Sequence, residues 1–121
     1  MHELGIMTGV IDSVKTAALD AGATRLLKVT LSVGEMTEAV DTALQFAFEA
    51  LCDDDPFTKG AELEVNMIRP KSRCLECGAV YEHDRFSMFC PECDGFVTEL
   101  IAGREMQIDS IEVDLPDDTE E

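Results

Sequence analysis

Two Cys-x-x-Cys pairs constrain this chain more than any other feature of its sequence. Cys74 and Cys77 form the first pair, Cys90 and Cys93 form the second, and twelve residues separate the pairs. Each pair closes a tight turn whose two thiolates face one point. Two such turns supply the four sulfur ligands of a tetrahedral zinc site, with bonds of about 2.3 Å. The spacing therefore predicts a structural zinc ion held by all four thiolates.

Two alternatives to zinc stay open for these cysteines. Two disulfides would need an oxidising compartment, but the chain begins Met-His-Glu, with neither the basic nor the apolar region of a secretion signal. In a reducing cytosol thiols bind metal instead, so we expect a cytoplasmic protein. Iron in a rubredoxin-like site is the second alternative, and the short spacing between the pairs disfavours it.

The chain is strongly acidic. It has 26 Asp and Glu residues against nine Lys and Arg residues, which gives a formal net charge of −17. Zinc ribbons often bind nucleic acid, but they do so with clustered basic side chains that neutralise phosphates. We therefore expect no nucleic-acid partner, while a nucleic-acid mimic or a partner with a basic docking face stays open. No apolar run approaches the about 18 residues that span a bilayer, so we expect no membrane span.

Helical periodicity predicts two amphipathic helices in the first half of the chain. Over Leu4–Leu19 the apolar residues recur at steps of three and four, and Gly22 follows as a helix stop. The same spacing returns over Glu38–Leu51, where Thr37 is the expected N-cap.

Alternation of apolar and polar residues predicts three strands. They cover residues 25–33, 61–68 and 106–113, the last with a bulge near Ser110. The buried face of the first strand is expected to carry four residues, Leu27, Val29, Leu31 and Val33. We expect the second and third strands to be antiparallel neighbours, because the cysteine segment leaves the sheet after one and returns into the other.

The order of these elements predicts an α+β fold. Two helices would cover one face of a three-stranded mixed sheet, and a small four-cysteine, zinc-ribbon-like domain would be inserted before the last strand. The predicted boundaries are 1–70 plus 101–114 for the main domain and 71–100 for the zinc domain, with 115–121 as an acidic disordered tail. Four aromatic residues are expected to form a minimal core around the cysteines: Tyr81, Phe86, Phe89 and Phe96.

The N-terminus carries a second set of metal donors. The Met1 amine, the deprotonated His2 amide and the His2 imidazole can close fused five- and six-membered chelate rings around one ion. This geometry suits square-planar Ni²⁺ or Cu²⁺ better than tetrahedral Zn²⁺. The backbone nitrogen of Glu3 or a nearby carboxylate could complete the plane. On chemistry alone, however, a terminal histidine is more often a solvated residue before a helix.

The remaining candidate groups favour structural roles. His83 lies between the cysteine pairs and is expected to be a polar loop residue, since four thiolates already fill a structural site. Cys52 ends the second helix and is expected to be a small apolar packing residue or an inert free thiol. The sequence shows no nucleophile paired with a base and no phosphate-binding loop, so we expect no enzymatic activity.

Several motifs taken together resemble the HypA/HybF family of hydrogenase nickel-insertion proteins. They are Met-His-Glu-Leu at the start, Val-Gly-Glu after the first strand, Phe-Ala-Phe-Glu in the second helix, both cysteine pairs, and Gly-Arg-Glu-Met before the last strand. The resemblance runs from residue 1 to about residue 114. It implies a nickel metallochaperone that binds Ni(II) at its N-terminus, keeps a structural Zn(II) in the cysteine domain, and delivers nickel for maturation of [NiFe] hydrogenase.

The resemblance also implies roles for single residues. His2 would be the essential nickel ligand and Glu3 the second residue of the motif, with the Met1 amine beside them. The family places a further carboxylate at the start of the second helix, for which Asp41 and Glu38 are the candidates. Zinc would be held by Cys74, Cys77, Cys90 and Cys93. Some relatives carry a histidine directly after a cysteine pair, but here Gly78 and Asp94 occupy those positions.

The partners that the resemblance implies are a nickel-handling maturation GTPase and the large subunit of [NiFe] hydrogenase, with urease maturation proteins as further candidates. The alternative interpretation is a zinc-stabilised protein-interaction module with no transferable metal. The two hypotheses differ in what they require of the N-terminus. A nickel chelator requires a free Met1 amine and a neutral His2, whereas an interaction module requires neither.

Overall fold

The computed structural model describes residues 3–84, 86 and 89–116. Within these residues the helices are α1 (Glu3–Asp20) and α2 (Asp41–Cys52). The strands of the same described part are β1 (Arg25–Gly34), β2 (Glu62–Ile68), β3 (Lys71–Cys74), β4 (Val80–Glu82), β5 (Thr98–Ala102) and β6 (Met106–Asp114). They form two three-stranded sheets, in the orders β2-β1-β6 and β4-β3-β5. The predicted α+β class, with a cysteine segment inserted before the last strand, is confirmed.

The described chain divides into two compact units. The helical unit contains residues 3–31, 40–65 and 108–116, and the cysteine unit contains residues 32–39 and 66–107 with the gaps given above. The predicted domain boundaries stay a prediction.

The helical unit is built around an apolar interface between α1 and α2. The buried residues lie three or four positions apart on each helix, so they form one stripe per helix. They are Met7, Val10, Val14 and Ala18 on α1, and Leu44, Ala47, Phe48 and Cys52 on α2. The small alanines let the two helices approach closely, and α1 and α2 pack directly against each other. Among the described residues, neither helix is long and apolar enough to cross a membrane.

The start of α2 differs from the prediction. Residues Glu35–Thr37 form a short 3₁₀ turn, and Glu38 follows with φ of 66°, a left-handed conformation that ends the turn. The helix begins only at Asp41, with Val40 as its N-cap. Thr37 is therefore not the cap of α2, because its hydroxyl donates to the Gly34 carbonyl at 2.8 Å within the preceding turn.

The sheet of β1, β2 and β6 is mixed, as predicted. The Leu26 N–H of β1 donates to the Phe57 carbonyl, in the turn before β2, at 2.9 Å, and farther along both segments Lys28 of β1 pairs with Glu64 of β2 at 2.9 Å. This order makes β1 and β2 parallel, joined through α2. At the other side of β1, the Thr24 N–H donates to the Asp114 carbonyl at 2.8 Å, which aligns the start of β1 with the end of β6.

Two sequence predictions about this sheet are wrong. The strands β2 and β6 are not neighbours, because β1 lies between them. The segment between β2 and β6 forms its own sheet, β4-β3-β5. Because this connection is long, β2 and β6 do not have to be adjacent strands. On β1, Leu26 is buried and Leu27 is 37% exposed, whereas Val29 and the later predicted positions are buried. The alternation therefore changes phase between Leu26 and Val29.

In the cysteine unit, β3 is the central strand of the second sheet. It pairs antiparallel with β4 through Ser72↔Tyr81 and with β5 through Ser72↔Leu100. The sequence pattern predicts no strand in this segment, since strands of three to five residues are too short to show alternation. The buried residues of β3 are Ser72 and Cys74, and neither residue type is typical of the buried face of a strand.

The predicted aromatic core of the cysteine segment is wrong. Phe86, Phe89 and Phe96 are 79%, 64% and 71% exposed, although the last two contact each other edge to face at 6.1 Å between ring centroids. The interior positions of the segment are occupied instead by Ser72, Cys74, His83 and Cys90.

Two glycines of the cysteine unit allow a close approach of backbone to backbone. A Cβ atom on Gly34 would collide with the carbonyl group of Gly103. Gly103 itself has φ of 123°, and its carbonyl accepts the Met36 N–H at 2.8 Å. These contacts give the Val-Gly-Glu and Gly-Arg-Glu-Met motifs a structural reason for their glycines.

Candidate metal centre

Each cysteine pair forms the same tight turn. After the first pair, the Gly78 N–H donates to the Cys74 carbonyl at 2.9 Å, and after the second the Asp94 N–H donates to the Cys90 carbonyl at 2.8 Å. Gly78 and Asp94 both have left-handed backbone, with φ of 81° and 60°. Glycine and aspartate are among the residues that adopt this conformation most readily, so the local sequence suits the turn.

Backbone amides also point at the first sulfur of each turn. The N–H groups of Glu76 and Cys77 donate to Cys74 Sγ at 3.4 Å, and the Glu92 N–H donates to Cys90 Sγ at 3.4 Å. Cys74 and Cys90 are buried, whereas Cys77 and Cys93 are exposed. Donors aimed at a sulfur stabilise the thiolate, which is the form that binds metal.

The four sulfurs meet at one point. All four Sγ atoms lie within 4.8 Å of one another, and the Cys74–Cys93 and Cys77–Cys90 pairs are 3.6 Å apart. In a regular tetrahedron with zinc–sulfur bonds of about 2.3 Å, the sulfurs are about 3.8 Å apart. A disulfide would bring two sulfurs to about 2.05 Å. The spacing therefore fits a four-thiolate metal site, and it does not fit the disulfide alternative.

The protonation of the cluster also favours a cation. The Cys77 N–H lowers the pKa of Cys74 to about 7, against the opposing effect of burial. At Cys93 the Gly95 N–H lowers the pKa, but the neighbouring Cys74 sulfur and burial outweigh it and raise the pKa to about 12. Sulfurs this close cannot all be negative on their own. A divalent ion among them would remove that repulsion and release the protons.

His83 lies outside this cluster, and its ring is hydrogen-bonded to Ser72 of β3. Its Nε2 atom is 2.8 Å from Ser72 Oγ, and its Nδ1 atom is 2.6 Å from the Asp84 carbonyl oxygen. The carbonyl can only accept, so Nδ1 carries the hydrogen and Nε2 accepts from the Ser72 hydroxyl. His83 lies in the loop after β4, as predicted, but it is only 6% exposed, so it is a buried, hydrogen-bonded loop residue.

The nickel prediction falls partly outside the described residues, because Met1 and His2 are not among them. Glu3 is the first residue of α1, and its Oε2 atom accepts the Val40 N–H at 3.1 Å. Val40 is the N-cap of α2 and directly precedes Asp41, the first residue of that helix. The Glu3 carboxylate therefore lies at the positive end of α2. Sequence patterns did not reveal this contact, since 37 residues separate its partners.

Cys52 has the structural role that was predicted. It is 2% exposed on α2, and burial raises the pKa of its thiol. A buried thiol with a raised pKa has little thiolate and is a poor ligand or nucleophile.

Comparisons with known proteins agree on one family. A family model described as hydrogenase/urease nickel incorporation, metallochaperone, hypA matches residues 1–113. A hydrogenase maturation factor HypA of Dehalococcoides mccartyi strain CBDB1 is 37% identical over 114 residues, which cover 94% of this chain and 95% of that protein. A protein of the same description from Streptomyces avermitilis is 38% identical over 115 residues, covering 92% of this chain and 86% of that protein.

Two solved structures share the fold. The solution structure of the Ni metallochaperone HypA from Helicobacter pylori has a TM-score of 0.67 at 21% identity, and it covers 96% of this chain and 100% of that one. A second solution structure, of a HypA protein, has a TM-score of 0.68 at 22% identity, with 93% and 96% covered.

Proposed function

Because this chain belongs to the HypA family of hydrogenase and urease nickel incorporation metallochaperones, we propose that it binds Ni(II) at its N-terminus and delivers it for maturation of [NiFe] hydrogenase. The relatives named as hydrogenase maturation factors support this role. The protein acts as a carrier of its metal cargo and not as an enzyme.

The nickel donors are the Met1 amine and the amide and imidazole of His2. These three nitrogens occupy three corners of a square plane, the geometry that Ni²⁺ accepts and tetrahedral Zn²⁺ does not. A backbone nitrogen of Glu3 or a carboxylate completes the plane. The resident Zn(II) is separate, and it is held by the four thiolates, whose spacing and charge suit a closed structural site.

The observation that best supports the proposed nickel site is the hydrogen bond from the Val40 N–H to the Glu3 carboxylate. This hydrogen bond, at 3.1 Å, holds the start of α1 against the start of α2. Asp41 is the next residue after Val40 and lies in the same unit as Glu3. We therefore favour Asp41 over Glu38 as the supporting carboxylate. Glu3 itself positions the chelating residues, because its side chain is engaged at the helix end.

The partners of this transfer are a nickel-handling maturation GTPase and the large subunit of [NiFe] hydrogenase. Urease maturation proteins are further candidates, since the family description includes urease. We place this transfer in the cytoplasm, where the cysteines stay reduced and the four thiols of the cluster can bind metal.

The experiment that tests the proposal is nickel calorimetry on protein with a native N-terminus, comparing the unaltered chain with His2→Ala. We expect His2→Ala to lose specific nickel binding and hydrogenase maturation in cells while keeping its zinc. A tag before Met1 keeps His2 but converts the amine to an amide, so it reports on the amine alone. The matched pair Asp41→Asn and Glu38→Gln then separates the two carboxylates, and only the first should weaken nickel binding.

Nickel binding should also depend on pH. The His2 imidazole must lose its proton to bind, and its unperturbed pKa is about 6.5, so the affinity should fall as the pH drops below that value. Unchanged nickel affinity below that pH, or one equivalent of nickel bound normally by His2→Ala, would contradict the proposal. The zinc-stabilised interaction module would then be the better hypothesis.

A further inference from the structure

A cleft of about 710 Å³ runs between α2 and the edge strand β2 within the helical unit. Its wall on the helix side is a single stripe of α2, and its other wall is the continuous backbone segment 60–65. In the sheet order β2-β1-β6, β2 is an outer strand among the described residues. The cleft therefore lies along a sheet edge that no described strand covers.

The backbone of this edge is directed into the cleft. Gln45 of α2 donates its Nε2 hydrogen to the carbonyl of Leu63 at 2.8 Å. This side chain reaches Leu63 from the helix and not from β1, so the carbonyl points away from β1. Since alternate residues of a strand point the same way, the N–H and C=O groups of Val65 share this direction. Ala61 precedes β2, and its N–H already donates to the Thr58 carbonyl at 3.0 Å. Gln45 thus occupies the place of a donor from an added strand.

The side chains that line the cleft have two characters. Its floor is apolar and consists of Phe48, Cys52 and Leu63, which are at most 9% exposed. Its rim carries five carboxylates, which belong to Asp41, Glu49, Asp53, Glu62 and Glu64. Lys28 is the one basic residue of the lining, and it is already paired with Glu64 at 2.9 Å. The rim is left with a strong excess of negative charge.

These carboxylates are not arranged for a single metal ion. Among the described residues, the four cysteines are the only group of three or more potential ligands whose donor atoms come within reach of one ion. Three of the rim charges are instead spread along α2 and its C-cap, from Asp41 to Asp53, about 18 Å at 1.5 Å per residue, and the other two lie on β2. An extended chain of five or six residues covers about that length.

We propose that this cleft binds an extended basic segment of a partner protein, which adds to β2 as a fourth strand. Its backbone pairs with the outward groups of Leu63 and Val65, where it takes the place of the Gln45 side chain at the Leu63 carbonyl. Because side chains alternate along a strand, small apolar side chains face the floor while lysine or arginine side chains reach the acidic rim. The proposal concerns a protein partner and holds whether or not nickel binds at the N-terminus.

The test uses a short fluorescein-labelled peptide of alternating lysine and valine, titrated into the zinc-loaded full chain near physiological ionic strength. Anisotropy should show saturable binding. A peptide of alternating glutamate and valine should not bind. The same lysine–valine peptide with N-methyl groups on alternate amides keeps its charge but cannot pair with a strand, so it should bind at least about tenfold more weakly. This comparison alters only the peptide and cannot unfold the protein.

A pair of protein variants locates the site. Glu49→Lys with Glu62→Lys reverses two rim charges and should weaken binding of the lysine–valine peptide about tenfold or more. The matched control, Asp12→Lys with Asp20→Lys, makes the same change of net charge on exposed positions of α1 and should alter binding less than about twofold, since salt screens distant charges. Equal losses in both variants, or equal binding of the N-methylated peptide, would overturn the proposal in favour of non-specific attraction.

Discussion

The helical unit and the cysteine segment bury different kinds of side chain. The helical unit has a continuous apolar core that includes Met7, Leu26, Leu31, Leu44 and Phe48. Between residues 71 and 100, the described residues that are buried are Ser72, Cys74, His83 and Cys90. The larger apolar side chains of this segment, such as Leu75, Phe89 and Phe96, are exposed.

This difference shows that the two parts need different sources of stability. Burying one Leu or Phe side chain contributes about 1.5–3 kcal/mol, and the helical unit buries many of them. The cysteine segment buries no large apolar side chain among its described residues, so we expect metal binding to supply most of its folding free energy. For small structural zinc sites this is on the order of 10 kcal/mol.

The largest effect is expected from loss of one zinc ligand. Cys77→Ser should abolish tight zinc binding and unfold the segment 71–100, because three thiolates no longer close the site. Cys52→Ser, the matched control, should keep one zinc because Cys52 lies in the helical unit, outside the four-sulfur cluster. Native mass spectrometry measures the zinc content of both. If Cys77→Ser retained one tightly bound zinc, the four-thiolate site would be wrong.

A pair of phenylalanines tests the apolar core directly. Phe48→Ala should lower the free energy of unfolding by about 3–5 kcal/mol, because it leaves a cavity under α2. Phe96→Ala should change it by less than about 0.5 kcal/mol, since that ring is 71% exposed. Urea unfolding followed by circular dichroism gives both values. Comparable losses would mean that Phe96 belongs to a core after all.

A smaller effect is expected inside the cysteine unit. Ser72→Ala removes the hydroxyl that donates to His83 Nε2, and it leaves a buried ring nitrogen without that partner. The cost should be about 1–3 kcal/mol. Ser13→Ala on the exposed side of α1 is the control and should be nearly neutral. Thermal unfolding of the zinc-loaded variants would show the difference, and equal melting temperatures would argue against this hydrogen bond.

The smallest effect concerns the hydrogen bond between Glu3 and Val40. Glu3→Ala removes the acceptor for the Val40 N–H and the negative charge at the start of α2, which should cost about 1 kcal/mol. Glu3→Gln keeps an acceptor oxygen and should cost only a few tenths of that energy. Urea unfolding measures both variants, and an equal cost for the two would show that charge, and not the hydrogen bond, matters here.

The sequence predicted the features that depend on local patterns. Both helices were found because their apolar residues recur over several turns, and the cysteine cluster was found because its spacing has few other uses. The strands β3 to β5 could not be found, since each is too short to show a period. The start of α2 was misplaced because nothing in the sequence marks Glu38 as left-handed.

Other parts of the site depend on contacts between distant residues. Ser72 and His83 meet because β3 and β4 pair, and neither residue type signals burial by itself. The contact of Glu3 with Val40 likewise requires that α1 and α2 already lie together. Such contacts follow from the tertiary fold, so a single sequence without the fold could not reveal them.

Amide hydrogen exchange with and without a zinc chelator tests the central comparison most directly. The amide protons of Cys74 and Cys90 donate to the Ala79 and Gly95 carbonyls, and they should lose their protection when zinc is removed. Amides in the middle of α1 and α2, such as those of Val14 and Phe48, should stay protected because an apolar core holds them. If the Cys74 and Cys90 amides remained protected without zinc, or if both helices lost protection with them, the two parts would not be stabilised in different ways.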